Sequence, residues 1–205
     1  VRLNFLSVSL GLPIVEDNPY GDLWFDQPPP PPLSARAPEA CIYLGSFSKI
    51  LAPGLRLGFA VAPPALFPKL LQAKQAVDLH TPIFNQRVAY EVLTSGIMDQ
   101  HVQAIRILYK QQRDAMLTAL ETHMPEGVRW NKPDGGMFLW LQVPDSICTE
   151  LLRAQAIEKG MAFVPGAAFH CGDAPRNTLR LSFVTASVEQ IHSAIATLAE
   201  LLRKN

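Results

Sequence analysis

A chain of 205 residues, 48% of them hydrophobic, can bury a sizeable core as one large domain or two small ones. Its eighteen basic and eighteen acidic residues cancel without long runs of either sign, which argues against a broad electrostatic surface for nucleic acid or an anionic membrane. Cys41, Cys148 and Cys171 match no zinc or disulfide spacing, no apolar run is long enough to span a membrane, and the five histidines form no His-x-x-x-His pair, so we expect buried thiols in a reducing cytoplasm and no metal site.

Val1 to Leu10 is apolar apart from Arg2, and Leu3, Leu6 and Leu10 share a helical face, so this stretch reads as the end of a helix with Gly11 as its C′ residue. It lacks the cleavage site and apolar length of a signal peptide, and the start at valine reads as processing or truncation of a longer chain. Leu12 to Val15 is expected as a short buried strand, with Pro13 tolerated near its start. At its C-terminal edge, Glu16-Asp17-Asn18-Pro19-Tyr20-Gly21 combines two acids, a turn and a phenol; an acid there is either a turn former or a site residue. Five consecutive prolines between Gln27 and Leu33 predict an extended surface connection, read as a stiff loop in preference to a docking peptide.

A second strand, Cys41 to Leu44, leads through a Gly45-Ser46 hinge into Phe47-Ser48-Lys49, with Arg56 seven residues beyond the lysine; Leu57 to Val61 is a third strand, closed by Pro63-Pro64. Strand ends facing a crevice are where open α/β sheets place ligands. A lysine held in a partly dry site there can lose its proton and attack a carbonyl, and the two serines with Arg56 would suit a phosphate, whereas the plainer reading of Lys49 is a surface loop lysine. Three strand ends thus gather Asp17, Tyr20, Ser46, Ser48, Lys49 and Arg56.

From Ala65 the period becomes helical, with stripes at Leu66, Leu70, Ala73 and Val77 and at Phe84, Val88, Val92 and Leu93; one long helix is expected over His101 to His123. Val128 to Trp130 and Met137 to Leu141 read as strands around the Lys132-Pro133-Asp134-Gly135-Gly136 turn. A helix over Ile147 to Lys159 ends at Gly160, Met161 to Val164 is a strand before Pro165-Gly166, and Leu179 to Val184 is a last strand. Ser187 then N-caps the closing helix in a capping-box relation with Gln190. Arg180, an arginine between apolar neighbours, either snorkels to the surface or pairs with a carboxylate. The expected division is 1–123, with the long helix as connector, and 124–205 as a small α+β domain.

Taken jointly, Glu16 through Gly21, Ser46-Phe47-Ser48-Lys49 through Arg56, Pro133 through Phe138, Val164-Pro165-Gly166 and Leu179-Arg180-Leu181-Ser182-Phe183 resemble the class I/II aminotransferases, the pyridoxal 5′-phosphate (PLP) enzymes of fold type I. The resemblance covers nearly the whole chain and corresponds to the C-terminal part of a family member. It implies an α/β fold: part of a mainly parallel large-domain sheet with helices, plus a small α+β C-terminal domain. It further implies that Lys49 forms the Schiff base with PLP and moves the substrate proton, that Asp17 sits against the pyridine nitrogen, and that Tyr20 bonds the phenolic oxygen. Ser46, Ser48 and Arg56 would hold the phosphate, and Arg180 would clamp the substrate carboxylate.

The reaction implied is amino-group exchange between an L-amino acid and a 2-oxo acid, in a cytoplasmic homodimer. Family segments with a phosphate-binding glycine turn, a ring-stacking aromatic and an asparagine have no counterpart here. The chain by itself is therefore expected to bind PLP weakly, turn over little and associate readily. A PLP-sensing effector domain of a transcriptional regulator, or a related PLP lyase, would keep the same lysine and aspartate.

Overall fold

Pro13 has no backbone N–H, so Ile14 is the first residue after it that can join a ladder, and its N–H donates to the Ala40 carbonyl at 2.8 Å. The computed structural model describes residues 9–204, and its first strand, β1 (Ile14–Asp17), begins at Ile14 rather than at Leu12 and runs on through both acids. Most of the helix expected over Val1 to Leu10 lies outside the described residues. Ser9 and Leu10 are helical, and Gly11 has φ 64°, a left-handed value that glycine adopts without steric cost.

β1 pairs parallel with β2 (Cys41–Ser46), and β2 pairs antiparallel with β3 (Gly58–Val61), so β2 is the central strand of three. The expected Gly45-Ser46 hinge is strand, because β3 continues the ladder opposite it, Gly45 to Phe59 and Ser46 to Gly58. A Cβ at Gly45 would collide with the Phe59 ring, which lies across it with centroids 5.5 Å from Phe47 and 6.2 Å from Tyr43. Between β1 and β2, Pro28 to Pro31 are exposed without regular structure. Pro32, at φ −58° and ψ 157°, has the polyproline II conformation and leads into a 3₁₀ turn over Leu33–Ala35.

The predicted helices α1 (Phe67–Val77) and α2 (Ile83–Thr94) form, but their apolar stripes do not become a core of this chain. α1 buries no residue and α2 only Ala89, while Val77 is 90% and Phe84 77% exposed. Periodicity fixes which face is apolar, not what will cover it. α3 (Ile97–His123) starts about one turn before His101, where the Ser95 hydroxyl accepts the Ile97 N–H at 3.4 Å. The chain divides into two compact units between Ala104 and Ile105, inside this helix.

The second unit carries an antiparallel sheet of β4 (Arg129–Trp130), β5 (Phe138–Gln142), β6 (Val164–Pro165) and β7 (Thr178–Ser182) in the order β4-β5-β7-β6, with α4 (Thr149–Glu158) and α5 (Val188–Lys204). Strand alternation buries Leu139, Leu141, Leu179 and Leu181 on one face, and α5 buries Ile191, Ile195, Leu198 and Leu202 along one stripe. The other face of the sheet presents Phe138, Trp140, Arg180 and Ser182. Met161 to Phe163, expected as strand, has no regular structure: the Met161 N–H is taken by the Ala156 carbonyl at 2.9 Å, capping the end of α4, and strand pairing is confined to Val164–Pro165. The capping box forms in both directions, Ser187 N–H to Gln190 Oε1 at 2.9 Å and Gln190 N–H to Ser187 Oγ at 3.3 Å.

Candidate active site

Successive residues of a strand face opposite ways, and this separates the two acids of β1. Asp17 is exposed and pairs in register with Leu44, which places it on the same sheet face as Ser46; Glu16 lies on the other face with Tyr43. The Glu16 carboxylate accepts the N–H groups of Leu33 at 3.1 Å and Ser34 at 3.2 Å, and the Cys41 thiol stands 3.9 Å from it. Burial, and then the Glu16 charge, push that thiol above its ordinary range. Of the two acids, Asp17 is the one turned to a free surface.

Beyond Asp17 the chain is tied back to β2, with Asn18 N–H donating to the Leu44 carbonyl at 3.0 Å and Asn18 Nδ2 to the Tyr43 hydroxyl at 3.2 Å. Leu23 N–H closes the following turn on the Tyr20 carbonyl at 2.9 Å. This brings the Tyr20 ring to Lys49, whose Nζ lies 5.7 Å from the ring centroid. Lys49 itself is fixed from β2: Ser46 Oγ accepts the Ser48 N–H at 3.1 Å, and the Phe47 carbonyl accepts the N–H groups of Leu51 at 2.8 Å and Ala52 at 3.1 Å. Phe47 N–H donates to the Leu57 carbonyl at 3.1 Å, so residues 48–56 form a loop pinched at its base.

Arg56 closes that loop at φ 52° and ψ 42°, the one non-glycine with positive φ among the described residues. A left-handed arginine costs on the order of 1–2 kcal/mol, a strain that concentrates at functional sites. It is exposed, with Nη1 donating to the Pro53 carbonyl at 3.3 Å, and Asn85 of α2 steadies the same loop by donating to the Leu55 carbonyl at 3.0 Å. Nothing in the local sequence marks Asn85, because its partner is thirty residues away.

In the second unit, Arg180 neither snorkels freely nor pairs with a carboxylate of this unit. Its guanidinium carbon lies 3.9 Å from the Phe138 ring centroid and 4.4 Å from that of Phe169, and Nε is buried without a hydrogen-bond partner among the described residues. Trp140, paired with Arg180 across the strands, packs edge-on against Phe169 at 5.6 Å. A buried, unpartnered guanidinium N–H is a place for an anion that the described residues do not themselves supply. Gly136, at φ 81°, makes the turn before Phe138. Arg113, only 2% exposed, anchors that turn by donating to the Pro133 carbonyl at 2.6 Å.

The structure therefore brings Lys49 to Tyr20 and Ser46 to Ser48, places Asp17 on the Ser46 face and puts Arg56 at the end of the Lys49 loop. That donor set fits a phosphorylated aldehyde: an amine, an exposed carboxylate, a phenol near the amine, and hydroxyls with a fixed cation for phosphate. Among the described residues no group of histidine, cysteine and carboxylate side chains could hold a metal, and no helix is long and apolar enough to cross a membrane.

The chain is 46% identical over 204 residues to the aromatic-amino-acid aminotransferase 1 of Thermococcus litoralis, covering 99% of this chain and 49% of that protein. It superposes with a TM-score of 0.93 and 42% identity on LysN, the α-aminoadipate aminotransferase of Thermus thermophilus complexed with N-(5′-phosphopyridoxyl)-L-leucine, covering 99% of this chain and 53% of that one. It is 37% identical over 200 residues to the HTH-type transcriptional regulator YdfD of Bacillus subtilis, covering 97% of this chain and 41% of the regulator. The chain thus spans about half the length of the curated relatives it matches. The family model for aminotransferase class I and II matches residues 5–198, and the chain belongs to that family.

Proposed function

We propose that this chain is the lysine-bearing part of a PLP-dependent aminotransferase that exchanges an amino group between an L-amino acid and a 2-oxo acid. The observation that carries the reading is the approach of Lys49 Nζ to 5.7 Å from the Tyr20 ring centroid, with Ser46 at the end of the central strand and Ser48 and Arg56 in the loop that follows it. PLP, when bound, supplies an electron sink for the pair left behind at the substrate Cα.

The residues divide the remaining work. Lys49 Nζ would hold the cofactor through its aldehyde and, as a free amine, would be the base that takes the proton from the substrate Cα. The Asp17 carboxylate would sit against the pyridine nitrogen, where its negative charge would favour the protonated ring. The Tyr20 hydroxyl would donate to the phenolic oxygen, Ser46 and Ser48 would hold the phosphate, and Arg56 would supply its fixed positive charge. Arg180 offers its buried Nε and its terminal nitrogens to the substrate carboxylate, and this orients the Cα–H bond for proton loss rather than carboxylate loss.

The decisive experiment is a single half-reaction on the PLP-loaded protein with a panel of L-amino acids. Transamination gives stoichiometric pyridoxamine phosphate and the 2-oxo acid, and Lys49→Ala abolishes both; a product panel of ammonia or carbon dioxide in their place would identify a lyase. The relatives are about twice as long, so we further propose that the 205-residue chain alone holds PLP weakly; for the whole protein we propose a homodimer, on the family resemblance. The similarity to YdfD favours a second reading, an effector domain that binds PLP without turnover. The enzyme reading is preferred because identity to the aminotransferase is higher, 46% against 37%.

A further inference from the structure

Glu16 has no part in the chemistry above, yet its carboxylate is fully engaged. Its two oxygens accept the successive N–H groups of Leu33 and Ser34 at 3.1 and 3.2 Å. Residues 28–32 are all proline and offer no backbone donor, so Leu33 and Ser34 are the first donors the chain presents after Gln27. The segment that leaves β1 at Asp17 is thus tied, at its far end, to the side chain one residue before its own point of departure.

This makes a closed loop of residues 17–33. On it lie Asp17, Asn18 with its bond to the Tyr43 hydroxyl, Tyr20 facing Lys49, and the buried Leu23 and Phe25. A polyproline run of five residues is a semi-rigid spacer of about 15 Å, so a fixed far end constrains the near end as a flexible strap would not. The tie is charge-assisted at both oxygens, the stronger kind of hydrogen bond.

We propose that Glu16 is a positioning residue that closes the 17–33 loop and thereby sets Asp17 and Tyr20 for the cofactor. The part of this concerning the cofactor rests on the reading of the site given above. Glu16→Gln keeps the size of the side chain but presents an NH₂ to one of the two backbone donors, so one arm of the tie is lost.

The test compares the chain with its Glu16→Gln variant by NMR, first without cofactor and then with excess ¹⁵N-labelled PLP. Without cofactor, amide exchange at Leu33 and Ser34 is expected to quicken roughly tenfold and the Tyr20 ring resonances to move. With cofactor, the pyridine nitrogen signal is expected to shift toward its unprotonated position, in the direction given by Asp17→Ala. A lower melting temperature with Tyr20 and the pyridine nitrogen both at their original values overturns the proposal, since a merely structural tie would give that result. If the unsubstituted chain yields no bound ¹⁵N signal even at millimolar PLP, where weak binding would still register, the cofactor reading of the site fails, and loop closure is decided by the Tyr20 resonances alone. Should Glu16→Gln not fold, Glu16→Asp, which keeps both acceptors on a shorter stem, is read in the same way.

Discussion

The Arg180 guanidinium carbon lies 3.9 Å from the centroid of the Phe138 ring and 4.4 Å from that of Phe169. Both rings lie within cation–π range of the guanidinium, while its Nε has no hydrogen-bond partner among the described residues. Phe138→Leu keeps apolar bulk and removes one face. It is expected to raise the amino acid concentration for half-maximal single-turnover rate roughly three- to tenfold, with a smaller effect on the limiting rate. Arg180→Lys should cost more, because an ammonium cannot make the paired bonds of a guanidinium.

Arg56 sets stability against binding. Its left-handed backbone is relieved by glycine, so Arg56→Gly is expected to stabilise the fold by roughly 0.5–1 kcal/mol after the entropic cost of glycine in the unfolded chain. The same change removes the one arginine of the loop, and PLP affinity should fall about tenfold or more. Thermal melting and a fluorescence titration with PLP read the two effects separately. A loss of stability would mean that the bond to the Pro53 carbonyl outweighs the strain.

The three thiols should separate by position. Cys171 is exposed and Cys41 is 1% exposed, with its thiol pushed up from an ordinary 9.0 by burial and by the Glu16 carboxylate. An aromatic disulfide reagent at neutral pH is expected to modify Cys171 at once and Cys41 only as fast as the protein opens. The linkage follows in sign: a thiol raised by folding contributes stability that is full below 9.0 and is lost as pH rises above it, because the unfolded chain releases its proton first. Cys41→Ala should flatten that alkaline loss in a series of denaturant melts.

Much of the candidate site can be proposed from the sequence because chemistry and spacing coincide in short windows. Lys49 after an apolar run, Asp17 at a strand end and the Ser187–Gln190 box each depend on residues within a few positions, and local preference decides them. The distinction between Glu16 and Asp17 is not legible, since it turns on strand register, and a shift of one residue would exchange their faces. The start of β1 departs from the expected Leu12 because the missing N–H of Pro13 outweighs the apolar content around it. Asn85 on Leu55, Arg113 on Pro133 and the two rings on Arg180 are contacts between distant segments, which periodicity cannot reveal. The stripes of α1 and α2 are helical as their period predicts, yet they do not face inward within this chain.

Gly45 and Phe59 occupy one space between them, the ring of one lying where the side chain of the other would be. That ring also touches Phe47, which carries the turn on which Lys49 sits. The two positions are therefore sterically coupled: a larger residue at 45 needs a smaller one at 59, and without it the lysine turn bears the mismatch.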